Sequence, residues 1–147
     1  MRQRILDDLL FSLKKGQKDV LSVLRMVKGA MQLEEIKLKR SLNDLEMISI
    51  LSHEIKIRKE ANEEFIKGDR QDLINKNIRE IDILSEYLPK QLTIKEINQI
   101  VEHAIEIVKP ISIKDMGKIM SLITPQLKGK ADMADVSKMI KGKLNSL

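Results

Sequence analysis

The chain has no cysteine and no tryptophan, and its only aromatic residues are Phe11, Phe65 and Tyr87. The absence of cysteine excludes disulfide bonds, thiolate metal sites and cysteine nucleophiles. With so few aromatic rings, the chain has little on which the bases of single-stranded nucleic acid could stack. Its core must therefore be aliphatic, built from leucine, isoleucine, valine and methionine.

The sequence also lacks long uncharged apolar runs and alternating runs of β-branched residues between turn signals. The first absence argues against a membrane-spanning helix, and the second argues against a sheet. The amphipathic start of the chain carries Arg2 and Arg4, but Asp7 and Asp8 follow at once, which is untypical of a mitochondrial presequence. We expect a cytoplasmic protein with no membrane association.

The 147 residues are 42% hydrophobic and 33% charged, a balance typical of a globular protein. Apolar residues recur every three or four positions along nearly the whole chain, which is the spacing of helices that bury one face. Ile5, Leu9 and Leu13, for example, are expected to form the buried stripe of the first helix. We predict an all-α protein with a four-helix N-terminal domain over 1–90, which includes two long helices. A small three-helix C-terminal domain over 91–147 follows.

Capping residues, glycines and prolines predict where these helices begin and end. Two segments, Asn43-x-x-Glu46 and Thr93-x-x-Glu96, match the capping box at a helix start. Pro125 should bend or shorten the helix that contains it. Gly129 is the predicted left-handed residue after a helix C-terminus. The predicted N-caps are Asn43, Asp69, Thr93, Ser112 or its neighbour, and Asp132.

The positive charge is concentrated in the last quarter of the chain. The whole sequence has 27 basic and 22 acidic residues, a net charge of +5. Residues 110–147 hold seven lysines and three aspartates, so +4 of this charge lies there. The concentration indicates either a solvated lysine-rich surface or a site for an anionic partner such as RNA. The lysines are Lys114, Lys118, Lys128, Lys130, Lys138, Lys141 and Lys143.

A search for catalytic motifs finds none. His53-Glu54 begins like a zinc-protease helix motif, but Ile57 stands where the second histidine would be. Neither histidine follows a glutamate by three residues, and no nucleophile elbow or phosphate-binding loop is present. The pairs Glu34–Glu35 and Glu63–Glu64 are predicted to be solvated charges, because adjacent helical residues do not face each other. We therefore predict no catalytic residue, no metal site and no cofactor.

Four segments, taken in this order and spacing, resemble the YqeY family. The family consists of stand-alone proteins related to the tail of the GatB subunit of the tRNA-dependent amidotransferase. The resemblance covers essentially the whole chain. The four segments are Leu24–Lys28, Glu86–Leu92, Asp115–Met120 and Lys128–Asp132.

The resemblance implies a two-part helical protein whose C-terminal part is similar to the amidotransferase tail, the part that reaches the transfer RNA body. The amidase and kinase-like chemistry of that complex lies in other domains. Family members are labelled carbon–nitrogen ligases with glutamine as amido donor through the parent complex. The resemblance therefore implies a non-catalytic accessory module. Its candidate partners are transfer RNA and either amidotransferase subunits or a tRNA synthetase, and we expect it to be a monomer.

The leading candidate site is the turn Lys128-Gly129-Lys130, which carries two ammonium groups just before a helix N-terminus, a position that favours anions. Asp132 would compete with phosphate for the same backbone amides. Lys118 lies ten residues before Lys128 on the preceding helix, and the sequence leaves open whether it joins the turn.

Arg25 and Lys28, three residues apart, form a second and lower-ranked candidate patch, because the nearby glutamates balance the charge of that helix. Three other interpretations stay open. The Lys128–Lys130 turn could be a plain helix connection, the chain could be a helical protein–protein adaptor without RNA binding, or it could be an enzyme.

Overall fold

A computed structural model describes residues 1–146. This part of the chain contains seven α-helices, one short 3-10 helix and no strand. The prediction of an all-α protein with four helices followed by three is confirmed. The α-helices are α1 (Arg2–Lys15), α2 (Lys18–Leu38), α3 (Asp44–Lys67), α4 (Gln71–Ser85), α5 (Ile94–Val108), α6 (Met116–Leu127) and α7 (Met133–Asn145), and the 3-10 helix is Ile113–Asp115.

Contacts within the chain divide it into two compact units, Met1–Leu88 and Pro89–Leu147. We call them the N-terminal and C-terminal units. The division predicted from the sequence, after residue 90, falls two residues later. The N-terminal unit holds the two longest helices, α2 with 21 residues and α3 with 24 residues.

In the N-terminal unit, α1 packs on α2 and α3 packs on α4 around an aliphatic core. The start of α3 follows from a capping box, as predicted. The Asn43 side chain accepts a hydrogen bond from the Glu46 amide at 2.9 Å, and the Glu46 carboxylate accepts one from the Asn43 amide at 3.0 Å. The fully buried members of the core are Ile5, Val23, Leu24, Val27, Met31, Met47, Leu51 and Leu84.

The predicted buried stripe of α1 is wrong at its last position. Ile5 and Leu9 are buried, but Leu13 is 52% exposed and Ser12 is buried instead. Steps of four residues drift by about 40° each around a helix, so Leu13 lies about 80° from Ile5, whereas Ser12 returns to within about 20°. The buried Ser12 hydroxyl has a hydrogen-bond partner, because it donates to the Leu9 carbonyl at 2.9 Å.

The predicted N-cap at Asp69 is also wrong. Asp69 has a left-handed backbone with φ of 54°, and Arg70 occupies the N-cap of α4. The Asp69 amide donates to the Ile66 carbonyl at 3.2 Å, and the Arg70 amide donates to the Phe65 carbonyl at 3.0 Å. Because these two residues cap the carbonyl end of α3, Asp69 belongs to the end of that helix.

Ion pairs connect the helices of the N-terminal unit. The Arg58 guanidinium, in a residue that is only 5% exposed, donates to Glu54 on α3 and to Glu80 on α4, each at 2.8 Å. Arg2 on α1 contacts Glu35 on α2 at 3.1 Å. The prediction that Glu35 is a solvated charge is therefore wrong, because its side chain is 16% exposed and paired across the helix interface.

In the C-terminal unit, α6 packs on both α5 and α7. Thr93 caps α5 as predicted, but the reciprocal bond of a capping box is replaced. The Thr93 hydroxyl accepts from the Glu96 amide and donates to the Glu96 carboxylate at 3.1 Å. Pro125 stands inside α6, which continues to Leu127. The buried core is Val101, Ala104, Ile119, Ile123, Leu127, Val136, Ile140 and Leu144.

Candidate nucleic-acid interface

The turn that joins α6 to α7 consists of Lys128, Gly129 and Lys130, and we call it the basic turn. Its backbone is closed on the end of α6, because the Lys130 and Ala131 amides both donate to the Leu127 carbonyl, at 2.9 and 3.2 Å. Gly129 has φ of 77°, in the left-handed region that glycine adopts at no steric cost. The predicted role of Gly129 after the helix C-terminus is confirmed.

The two lysines of the basic turn are exposed. Two other lysines of the C-terminal unit are ion-paired, Lys118 with Asp115 at 3.6 Å and Lys143 with Glu102 at 3.3 Å. Within residues 1–146, no carboxylate lies within 4.0 Å of the ammonium of either lysine of the basic turn. Both positive charges therefore face solvent without a neutralising partner.

The N-terminus of α7 does not add an anion site to the basic turn. Asp132 is the N-cap, as predicted, and its carboxylate accepts from the Ala134 amide at 2.9 Å. The negative charge of Asp132 occupies the place where a phosphate would benefit from the helix dipole. Attraction for an anion at this turn must therefore come from the lysine side chains.

Lys118 does not join the basic turn. It lies in the first turn of α6, and ten residues of helix separate it from Lys128, a distance of about 15 Å along the axis. Its partner Asp115 also accepts a hydrogen bond from the Ile111 amide at 2.8 Å. That backbone hydrogen bond, then the one from Ser112 and then the charge of Lys118, lower the pKa of Asp115, so the ion pair persists at neutral pH.

The segment 89–92 lies against the basic turn. The Leu92 amide donates to the Lys130 carbonyl at 2.9 Å. The Gln91 side-chain amide donates to the Gly129 carbonyl at 2.7 Å. Lys90, which is exposed, immediately precedes these two residues and is a candidate third lysine of the site.

Sequence reasoning missed Lys90 and Gln91, although both lie in a segment used for the family resemblance. Gln91 and Gly129 are 38 residues apart, and no periodicity or spacing in the sequence connects them. It also left Lys138 and Lys141 unranked. Both are exposed and three residues apart on α7, and Lys138 lies six residues after Asp132, about 9 Å along the helix.

Arg25 and Lys28 lie on α2, where Arg25 is exposed and Lys28 is half-buried. No ion pair involves either side chain among residues 1–146. The glutamates that were expected to balance them have other partners, since Glu34 pairs with Lys37 and Glu35 with Arg2. Their role as a second patch stays a prediction.

The two histidines, which are candidates for metal binding or catalysis, lie on different helices. His53 and His103 are both exposed on helices. Across residues 1–146, no three histidine or carboxylate side chains are grouped so that they could hold a metal ion. None of the helices within the same range has the length and apolar character needed to cross a bilayer.

The N-terminal unit has an open groove between α2 and α3, with a volume of about 480 Å³. Leu33, on its wall, is 63% exposed, and Ile36, three residues further along α2, is 73% exposed. The groove is lined by Ala30, Leu33, Glu34, Lys37, Leu42, Glu46, Ser49, Ile50, His53 and Glu54.

Comparison with known proteins gives one family and two relatives. A family model described as Yqey-like protein matches residues 2–144. An uncharacterized protein of Schizosaccharomyces pombe is 34% identical over 90 residues, which are 61% of this chain and 70% of that protein. A protein of Pyrenophora tritici-repentis, named altered inheritance of mitochondria protein 41, mitochondrial, is 26% identical over 140 residues. These are 93% of this chain and 77% of that protein. The family match spans both units.

Proposed function

The chain belongs to the YqeY family, and from that membership we propose that it is a non-catalytic accessory module that binds transfer RNA through the basic turn. The supporting observation is that Lys128 and Lys130 are exposed and unpaired within residues 1–146, on a turn whose backbone is closed by hydrogen bonds. The relation to the amidotransferase tail that the sequence resemblance implies supports transfer RNA as the polyanion. Amidotransferase subunits or a tRNA synthetase would supply the chemistry.

Recognition through this surface would depend on phosphate position and RNA shape. All three aromatic residues of the chain precede Pro89, so the C-terminal unit has no aromatic ring on which a base could stack. Lysine ammonium groups contact phosphates and release the counterions condensed on the RNA. Binding should therefore be strongly salt-dependent and nearly independent of base sequence.

The test uses the full chain and a double variant, Lys128→Ala with Lys130→Ala. We expect the affinity for transfer RNA to fall about tenfold at about 0.1 M salt. The slope of log affinity against log salt should become shallower by roughly 1.4–1.8, because two phosphate contacts are lost. Fluorescence anisotropy over a salt series measures both quantities.

A matched control replaces Lys56 and Lys67 of α3, which removes the same charge from exposed pairs in the N-terminal unit. This control should bind like the unmodified chain. Unchanged affinity and slope in the Lys128/Lys130 variant, with circular dichroism showing intact helices, would reject the proposal.

A second candidate function, a protein–protein adaptor, is favoured by the groove between α2 and α3. Solvent-exposed aliphatic side chains at such a groove are typical of surfaces that bind a helix of another protein. The test is affinity capture with the unmodified chain and with Leu33→Asp. A protein retained by the unmodified chain, lost by the Leu33→Asp variant and unaffected by the Lys128/Lys130 substitutions would support the adaptor.

The cytoplasmic location stays a prediction, since one relative is named as mitochondrial.

A further inference from the structure

We propose that Gln91 is a positioning residue that holds the basic turn in its RNA-binding arrangement. This inference rests on the proposed function, because it assigns a role within the same site. Gln91 is exposed and uncharged, so it neither fills the core nor contributes to the electrostatic attraction.

The geometry is that of a clamp made by one short segment. The Gln91 amide nitrogen donates to two carbonyls, that of Pro89 at 2.9 Å and that of Gly129 at 2.7 Å. These two bonds use both hydrogens of the side-chain amide. The next residue, Leu92, donates its backbone amide to the Lys130 carbonyl at 2.9 Å. Two successive carbonyls of the basic turn are therefore bound from residues 91 and 92.

The clamp acts where the turn has fewest other restraints. The α6 helix ends at Leu127, and Gly129, without a side chain, is the most conformationally free residue of the turn. The Gly129 carbonyl is held by Gln91, and this bond orients the peptide between Gly129 and Lys130, one of the two peptides that separate the lysines. Without it, Lys128 and Lys130 would keep their charge but would have to be ordered when the RNA binds, which costs affinity.

The same contacts bring Lys90 beside the basic turn. Because residues 91 and 92 are bound to Gly129 and Lys130, the backbone of Lys90 is held one residue away from the clamp. The clamp therefore links the three lysines into one arrangement that phosphates of a single RNA could contact.

The test is Gln91→Met in the full chain, which keeps the side-chain length and removes both donors. Gln99→Met is the matched control, since Gln99 is an exposed glutamine on α5 of the same unit. Amide hydrogen exchange should accelerate about 2- to 13-fold at Leu92, Lys130 and Ala131 in the Gln91 variant, the factor expected for loss of one neutral hydrogen bond. Affinity for transfer RNA should fall about 3- to 10-fold although no charge has changed. The control should change neither quantity.

Each outcome has a distinct meaning. Unchanged exchange at these three amides would show that Gln91 does not clamp the turn, whether or not RNA binds. Faster exchange with unchanged affinity, in a chain whose binding depends on Lys128 and Lys130, would overturn the positioning role. Failure of the unmodified chain to bind RNA would overturn the proposed function and the positioning role with it, and the exchange data would still identify the clamp as structural.

Discussion

The two units of this protein differ in how much of their charge is paired. Residues 1–88 hold 17 basic and 16 acidic side chains, and several of them pair across helix interfaces, as in Arg2–Glu35 and Arg79–Asp19. Residues 89–147 hold 10 basic and 6 acidic side chains, and most lysines after Pro110 have no acidic partner within the described range. Arg2–Glu35, Arg58–Glu80 and Arg79–Asp19 join helices in the N-terminal unit, whereas Lys143–Glu102 is the one such pair in the described part of the C-terminal unit. Most lysines after Pro110 face solvent instead, where a polyanion can reach them.

The cores of the two units differ in aromatic content, and this difference allows the unfolding of each unit to be followed separately. The core of the C-terminal unit is entirely aliphatic, whereas that of the N-terminal unit includes Tyr87. Tyr87 is the only tyrosine of a chain without tryptophan, so its fluorescence reports unfolding of the N-terminal unit alone. Circular dichroism reports the helices of both units. The two signals together separate the stability of one unit from that of the other.

The largest effect is expected from Arg58→Ala. This change leaves the carboxylates of Glu54 and Glu80, both largely buried, without their shared cation. Removing one partner of a buried ion pair costs about 3–5 kcal/mol. Denaturant unfolding followed by Tyr87 fluorescence should therefore shift strongly to lower denaturant concentration.

The control for this variant is Lys56→Ala, which removes an exposed cation two residues away on the same helix. Exposed i,i+4 pairs contribute about 0.3–0.5 kcal/mol, so the control should barely move the transition. Equal effects of the two substitutions would mean that charge does not hold the helices of the N-terminal unit together.

A smaller effect, confined to the other unit, is expected from Ile123→Ala. Ile123 is fully buried on α6, and truncating such a side chain removes apolar contact and leaves a cavity. The C-terminal unit should lose about 3 kcal/mol of its free energy of unfolding. The circular dichroism transition should move while the Tyr87 transition stays in place. A parallel shift of the Tyr87 signal would show that the two units unfold as one.

The Tyr87 hydroxyl should make the stability of the N-terminal unit depend on pH. Burial, and then the hydrogen bond of 2.6 Å that Tyr87 donates to Asp8, raise the pKa of Tyr87 above its ordinary value. The folded state thus binds this proton more tightly than the unfolded chain, whose tyrosine ionises near pH ~10. The resulting stability is fully present below that pH and is lost as pH rises above it.

The measurement is the ultraviolet absorbance of tyrosinate recorded with circular dichroism during an alkaline titration. Tyrosinate should appear together with the loss of helical signal, because ionisation in the folded state is disfavoured. Asp8→Asn removes the neighbouring negative charge and should move the appearance of tyrosinate to lower pH. Ionisation near pH ~10 in a fully helical protein would contradict the expectation.

Local sequence rules predicted the fold well wherever a helix end depends on nearby residues. Asn43, Thr93 and Asp132 cap helices through contacts within three residues, and such contacts can be inferred from sequence. The prediction of Asp69 as an N-cap was wrong because the path of the chain decides whether this residue ends α3 or starts α4. The burial of Ser12 was missed because a polar residue gives no sequence signal of a core position.

The candidate site was only partly predictable. The basic turn could be predicted from the local excess of lysine and from Gly129, which marks the end of a helix. The contact of Gln91 with Gly129 is tertiary and leaves no periodic signal in the sequence. Lys118 could be placed only once α6 was known to continue uninterrupted to Leu127. Cross-helix partners such as Arg2 and Glu35 were equally invisible, since neither lies near the other in the chain.

The smallest effect is expected from Arg25→Ala with Lys28→Ala, which removes two positive charges from α2. The N-terminal unit that carries them has a net charge of only +1, so this patch lies in a weak field compared with the basic turn. We expect the affinity for transfer RNA to change by less than about twofold and the salt slope to stay within about 0.5 of the original value. The variant removes the same charge as the Lys128/Lys130 variant, so total charge cannot explain a difference between them. A loss of affinity equal to that of the Lys128/Lys130 variant would mean that RNA binding follows net charge alone. The contrast between the two units would then hold for stability but not for binding.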